Sequence, residues 1–341
     1  MEEIKRLVLN QESEEDQVVS LSLRPARLVD FVGQPELVKG LQVAIAAAQK
    51  RGDPLEHTLF SGPPGLGKTS LAYIIANEMN SRITVTSGPA IRRTGDFMAI
   101  LTNLEKGDVL FIDEIHRLDK KVEEFLYPAM EDFKIDFIVD KDTPYAKTIN
   151  FLLKPFTLIG ATTRSGLLTT PLRDRFGIFY HLEFYGEADL ARIVSVSAKK
   201  LNMEIDKDAC LAMAQRSRGT PRIANRLLRR CRDWAQVHSN KDHIDLKVVD
   251  EAMRALRIDA EGLDELDRRL LTIMKTQYNG GPVGIESLAA TLNEETDTIE
   301  DVIEPYLLKA GFLRRTSRGR ELTSMALEHL NTFGGTKQPL G

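Results

Sequence analysis

The sequence predicts an α/β protein with a parallel-sheet domain first, a small helical domain second and a winged-helix domain last. Three observations carry that expectation. From Arg24 to Phe184 short apolar runs alternate with amphipathic stretches, the pattern of a parallel sheet with crossover helices. From Glu187 to Arg257 the strand signals stop and helical periodicity takes over. Beyond residue 258, three helical segments lead into two short strand candidates around a basic turn. The expected boundaries are an acidic flexible tail at 1–20, the sheet domain at 21–185, the helical domain at 186–257 and the head at 258–341.

In the first domain the strand candidates are Thr58-Leu59-Phe60, Ile83-Thr84-Val85, Val109-Leu110-Phe111-Ile112 and Phe156-Thr157-Leu158-Ile159. The run at 109–112 is apolar on both faces, which suits a strand covered on both sides. Phe133-Lys134-Ile135-Asp136-Phe137 alternates, then turns through Asp140-Lys141-Asp142-Thr143-Pro144 to Tyr145, and reads as a protruding hairpin. In the second domain Leu211, Met213 and Ala214 lead to a break at Gly219-Thr220-Pro221 before another helix. The head predicts helices over 263–278, 285–292 and 295–309, the last carrying apolar Ile299, Val302, Ile303 and Tyr306 and closed by Gly311. Phe312-Leu313 and Glu321-Leu322-Thr323 then flank the Ser317-Arg318-Gly319 turn as wing strands.

Composition narrows the function classes. The 341 residues are 42% hydrophobic and 28% charged, ordinary for a globular chain. No stretch reaches the roughly 18 apolar residues of a membrane span, and the first residues lack a secretory layout. Cys210 and Cys231 match no metal spacing and read as reduced thiols, as in a bacterial-type cytoplasm. The net charge of −4 gives no global nucleic-acid signal, but its distribution is uneven. Residues 1–20 are acid-rich, whereas Lys309, Arg314, Arg315, Arg318 and Arg320 fall in a stretch without an acid. A second arginine group (Arg216, Arg218, Arg222, Arg226, Arg229, Arg230 and Arg232) reads mostly as a solvated helix face.

Gly62-Pro63-Pro64-Gly65-Leu66-Gly67-Lys68-Thr69 fits the Gly-x4-Gly-Lys-Thr phosphate loop, with a strand before it and a helix after it. Gly62, Gly65 and Gly67 let backbone N–H groups turn inward at a helix N-terminus, which favours anions. Lys68 reaches the outer phosphates and the Thr69 hydroxyl serves Mg2+. Asp113-Glu114 follows the buried strand at its carboxyl end, where parallel sheets bind ligands. Asp113 orders the metal and Glu114 orients and deprotonates a water. His116 beside them carries no assignment. No guanine-selective Asn-Lys-x-Asp string is present, so the base expected is adenine and the nucleotide ATP.

These landmarks, followed by Gly160-Ala161-Thr162-Thr163-Arg164, Arg173-Asp174-Arg175 and Gly219-Thr220-Pro221-Arg222, resemble the ordered motifs of AAA+ ATPases. More narrowly, residues 110–118, 171–177 and 220–226 resemble the RuvB group of bacterial Holliday-junction branch-migration motors, and the resemblance runs from Arg24 to Arg320. It implies an AAA+ ATPase domain, a helical lid and a winged-helix head. It implies that Leu23, Arg24 and Tyr185 flank the adenine. Gly65, Lys68, Thr69 and Ser70 hold phosphate and Mg2+, and Glu131-Asp132-Phe133 also touches nucleotide. Arg222 resembles the sensor arginine, and Arg175 the finger given in trans to a neighbour, with Arg173 the close competitor. An asparagine is usual in AAA+ proteins where this chain has Thr163; the RuvB group shares the threonine, which places it among the catalytic candidates.

On the head, Arg315 and Arg320 match family DNA-contact positions, with Arg318 between them; contacts to phosphate give affinity without sequence preference. The resemblance further implies a homohexameric ring on duplex DNA at Holliday junctions, acting in recombination, DNA repair and the SOS response. It implies a RuvA-like junction-binding partner docked on the 133–145 hairpin, a RuvC-like resolvase and no membrane role. The rival expectation is a clamp loader or replication-initiator-type ATP switch that binds DNA without translocating. A protein-unfolding ATPase fits less well, because no aromatic pore-loop signature precedes Asp113.

Overall fold

The computed structural model describes residues 21–139, 147–238 and 242–334. The acidic tail at 1–20 and the hairpin turn at 140–146 lie outside the described residues. The chain divides into two compact units, Arg24–Tyr185 and a second formed by Met1–Leu23 with Gly186–Gly341.

The first unit opens with α1 (Pro35–Arg51), β1 (Thr58–Ser61), α2 (Lys68–Glu78), β2 (Ile83–Ser87), α3 (Thr94–Thr102), β3 (Val109–Asp113) and α4 (Lys120–Glu131). β4 (Lys134–Val139), β5 (Lys147–Leu152), β6 (Thr157–Thr162), α5 (Thr170–Arg173) and β7 (Ile178–His181) complete it. The sheet order is β2-β3-β6-β1-β7, and every pairing in it is parallel. Val109 to Ile112 are buried throughout, as expected of a strand covered on both faces. Leu110, Ile112, Leu158 and Phe156 join Phe97, Leu101 and Leu126 from α3 and α4 in one apolar cluster. β7 is a fifth strand, beyond the four that the sequence predicts. β4 and β5 form the separate antiparallel hairpin; Ile135 roots its base in the core, while Leu152 is 86% exposed.

In the second unit α6 (Glu187–Lys200), β8 (Glu204–Ile205), α7 (Lys207–Gln215), α8 (Pro221–His238), β9 (His243–Ile244) and α9 (Leu246–Ala255) form the helical part. The expectation that strands vanish here needs correction, since β8 and β9 pair in parallel over two residues. Cys210 and Cys231 are buried free thiols, and burial pushes Cys231 up to about 12. Arg218 and Arg229 are also buried, so the solvated-face reading fails for them. For Arg218 the reason is an ion cluster: its Nη2 lies 2.6 Å from Asp267 and 2.8 Å from Asp264.

The head comprises α10 (Glu265–Gln277), α11 (Ile285–Leu292), a helix interrupted by a π turn at Ile299–Ile303 that resumes as α12 (Glu304–Lys309), β10 (Leu313–Thr316), β11 (Gly319–Leu322) and α13 (Ser324–Gly334). Asp264 and Asp267 cap α10 reciprocally through a capping box. Ile299, Ile303 and Leu307 enter the core with Leu270, Leu288 and Leu313. Val302, expected on that face, is 58% exposed, because the π turn shifts the helical register. α13 follows the wing, beyond the three helices that the sequence predicts for the head. Among the described residues no helix is long and apolar enough to cross a membrane.

Candidate nucleotide site and basic wing

The phosphate loop is built as its sequence demands. Gly62, Gly65 and Gly67 all have positive φ (132°, 80° and 104°), and a Cβ at Gly62 would lie 2.5 Å from the Leu182 carbonyl oxygen. Lys68 starts α2 and is 7% exposed; its Nζ donates to the carbonyls of Gly62 at 2.6 Å and Pro63 at 2.8 Å. These bonds hold the ammonium across the loop, beside backbone groups that have no Cβ to block a phosphate. Thr69 and Ser70 follow in the first turn, half-buried. The Tyr185 hydroxyl donates to the Leu66 carbonyl at 3.1 Å, so this aromatic is fixed against the loop. Arg24 stands 5.6 Å from the centroid of the Tyr73 ring on α2. Leu23, by contrast, belongs to the second unit, where its carbonyl accepts from Lys200 at 3.2 Å.

Asp113 ends β3, and Glu114 takes a left-handed backbone (φ 48°), which turns it out of the strand line. Non-glycine residues adopt that conformation uncommonly. The Glu114 N–H donates to Asp113 Oδ1 at 2.9 Å, and its carboxylate pairs with Arg117 at 3.1 Å. On neighbouring β6, Thr162 Oγ1 accepts from the Arg164 N–H and lies 3.0 Å from His116 Nδ1. His116 thus ties the Asp113-Glu114 turn to the next strand. The Thr163 hydroxyl is buried with no hydrogen-bond partner. A buried polar atom left unmade is costly, and here it sits one residue past the end of β6, on the strand adjoining Asp113. The loop, the acids and the unmatched hydroxyl fit a nucleoside triphosphate with Mg2+.

The remaining expected residues lie elsewhere. Glu131 ends α4; Asp132, at its C-cap, pairs with Lys134 at 2.7 Å, and Phe133 has φ 50°. Arg175 joins this group: its Nη2 is 3.1 Å from Glu131 and its Nη1 donates to the Pro171 carbonyl at 2.7 Å. Tyr127 on α4, which the sequence did not single out, presents its ring to the Arg175 guanidinium at 4.3 Å. Arg173 is exposed and lies over Phe179 at 5.0 Å. A pocket lined by His57, Met130, Phe133, Phe156 and Arg175 is at this end of the sheet, away from the phosphate loop. Arg222 is exposed in the first turn of α8, in the second unit.

On the wing, Arg318 is exposed in the turn between β10 and β11. Arg315 and Arg320 stand opposite each other in the hairpin register. Both engage Glu304, which is 0% exposed: Arg315 Nε and Nη2 each donate at 2.7 Å, and Arg320 Nε at 3.0 Å.

Comparison with known proteins gives three matches in chain order. A family model of the Holliday junction DNA helicase RuvB P-loop domain matches residues 23–182. A RuvB AAA lid model matches 185–259, and a RuvB C-terminal winged-helix model matches 260–331. Among solved structures, the chain is similar to a Thermotoga maritima RuvB described as a Holliday junction branch migration motor. That pair shares 52% identity over 91% of this chain and 98% of the other, with a TM-score of 0.83. Two single-substitution variants of the Thermotoga maritima protein match at 51% identity over 93% of this chain. They are covered over 99% and 100% of their own lengths, with TM-scores of 0.84 and 0.85. The parallel-sheet P-loop domain, AAA lid and winged helix are therefore the three parts of this fold.

Proposed function

The chain belongs to the RuvB family of P-loop ATPases, and from that premise we propose that it is an ATP-driven motor that branch-migrates Holliday junctions in recombination and DNA repair. The observation that carries this reading is the match, over 91% of this chain, to a branch migration motor. Lys68 draws the outer phosphates inward, since its ammonium is already held over the loop by the Gly62 and Pro63 carbonyls. Thr69 and Asp113 hold Mg2+, which when bound offsets charge on the phosphates. Glu114 takes a proton from the attacking water, and the unpartnered Thr163 hydroxyl positions that water or the terminal phosphate. Leu23, Arg24 and Tyr185 flank the adenine, while Glu131, Asp132 and Phe133 complete the nucleotide contacts.

Arg175 serves a neighbouring subunit's nucleotide as the finger, where a guanidinium offsets charge developing in the transition state. That division of labour requires a ring, and a homohexamer around duplex DNA satisfies it. Arg222 senses the terminal phosphate from the lid, and nucleotide state is passed to the head. Arg315, Arg318 and Arg320 grip DNA phosphates without reading bases, as a travelling motor needs. The hairpin, with Leu152 exposed, docks a RuvA-like partner; a RuvC-like resolvase acts on the same junction. The setting is the cytoplasm, under the SOS response.

The test uses ATPase and junction-migration assays, each with and without a RuvA-like protein. Lys68→Ala loses nucleotide binding, and Glu114→Gln binds ATP but does not turn it over. Junction binding without migration by the wild-type chain and its partner would instead identify an ATP switch. Full turnover by the Glu114 variant would remove that residue from the mechanism.

A further inference from the structure

We infer that Glu304 is the positioning residue of the DNA head, a buried carboxylate that fixes Arg315 and Arg320 in the geometry in which they meet phosphate. The inference rests on the wing being the DNA surface, as proposed above, and adds a residue outside the basic stretch.

The starting point is an electrostatic problem in the hairpin. Arg315 and Arg320 are a directly opposed cross-strand pair, and like charges in that register repel. The neighbouring pair, Arg314 and Glu321, is solved locally by its own ion pair at 2.7 Å. For Arg315 and Arg320 the counter-charge comes from outside the hairpin. Glu304 Oε1 accepts from both Nε atoms, at 2.7 Å and 3.0 Å, and Oε2 accepts from both Nη2 atoms, at 2.7 Å and 3.1 Å. Each arginine therefore makes a two-point fork with one carboxylate, the most directional ion pair available to a guanidinium.

The surroundings show that this arrangement is built. Glu304 opens α12 directly after the π turn, a feature frequent at functional sites. Glu300, one turn earlier, adds a bond to Arg320 Nη2 at 3.1 Å. The Arg320 backbone is locked by reciprocal bonds with Val283, each 2.9 Å. Burial pushes the Glu304 carboxyl up, but the hydrogen bonds and charges of Arg315 and Arg320 prevail and hold it below the ordinary range. The Arg315 side chain remains 55% exposed and that of Arg320 14%, so Arg315 carries the outward edge of the pair. A carboxylate placed on a DNA surface should oppose binding by its charge alone. Its complete burial on the protein side of both guanidiniums lets it order them instead.

The two effects predict opposite signs, and that decides the test. Binding of the full-length chain to a fluorescein-labelled duplex is measured by anisotropy across a salt series. If Glu304 positions the arginines, Glu304→Gln weakens binding about tenfold although it makes the head more positive, and the salt slope falls by about one phosphate. Glu304→Asp, which keeps the charge but shortens its reach, also weakens binding; this second variant covers any folding defect of the first. In an Arg315→Ala/Arg320→Ala background Glu304→Gln has no further effect. Tighter or unchanged binding by both Glu304 variants, with Arg315→Ala still weakened, overturns the inference and leaves the wing reading standing. Unchanged binding by Arg315→Ala overturns both.

Discussion

Arg175 is tied to Glu131 of the same chain, Nη2 to Oε1 at 3.1 Å, with its guanidinium over the Tyr127 ring at 4.3 Å. One α4 face thus holds the arginine by charge and by ring, while the Pro171 carbonyl takes a third contact at 2.7 Å. Its buried Nε has no hydrogen-bond partner.

A planar guanidinium is needed for this set of contacts, so Arg175→Lys is expected to behave like Arg175→Ala. Both should lower ATP turnover by about 10^3, the lower end of the range for losing a finger. Service in trans gives a sharper expectation. Mixing Arg175→Ala with Lys68→Ala pairs intact loops with intact fingers at some interfaces, and part of the ATPase activity returns. Additive, unrecovered activity in the mixture would mean that Arg175 acts within its own subunit, or that Arg173 is the finger.

Thr163→Val is expected to separate stability from activity. The hydroxyl it removes is buried and makes no hydrogen bond, so the folded protein carries a desolvation penalty of about 1–3 kcal/mol for it. The isosteric valine should therefore match or exceed the wild type in thermal stability while ATP turnover falls. Loss of stability with turnover retained would show that the hydroxyl has a structural bond and no part in hydrolysis.

What the sequence displayed was local, and what it hid was paired across distance. The phosphate loop was legible because its glycines and Lys68 act within eight consecutive residues, and Asp113-Glu114 because it ends an apolar run. β7 was obscure because its half-buried edge pattern follows directly on the Arg173-Asp174-Arg175 motif. Glu304 lay in an acid-containing amphipathic helix and gave no sign of burial, since its partners are 11 and 16 residues on and a π turn sets its direction. Arg218 was one arginine among seven. Tyr127 and His116 needed partners 48 and 46 residues away in chain to acquire meaning.

His57 gives the first unit a pH dependence of predictable sign. Its Nδ1 accepts from the Leu158 N–H at 2.9 Å, a group that can only donate, so Nε2 carries the proton toward the Met130 carbonyl at 3.1 Å. Protonating Nδ1 would break the first bond. Burial depresses the imidazole pKa below 6.5, offset in part by the Met130 carbonyl. The unfolded chain thus takes a proton that the folded chain refuses. The stabilisation is present above about pH 6.5 and is lost as pH falls, by up to about 1.4 kcal/mol per pH unit. Urea denaturation from pH 7.5 to 5.5 should show this slope, and His57→Gln should flatten it. Equal slopes in the two proteins would exclude His57 as the source.

Removing the Arg218 side chain should be costly to the second unit. It precedes α8 in a left-handed conformation (φ 54°) and is buried with its Nε donating to the Gly262 carbonyl at 2.7 Å. Its Nη2 meets both Asp264 and Asp267 at the start of α10, so one lid side chain fastens the chain segment that opens the head. Burial pushes the Asp267 carboxyl up to about 7 against the pull of Arg218, and the Asp264 charge adds to that rise. Two carboxylates thus depend on one cation. Arg218→Met keeps most of the volume but strands both acids, at a cost of about 3–5 kcal/mol. Arg218→Met with Asp264→Asn and Asp267→Asn removes the stranded charges and should recover more than half of that loss. Chemical denaturation of the three proteins at one pH checks it. Wild-type stability in Arg218→Met alone, or no recovery in the triple variant, would show that the cluster is not held by charge.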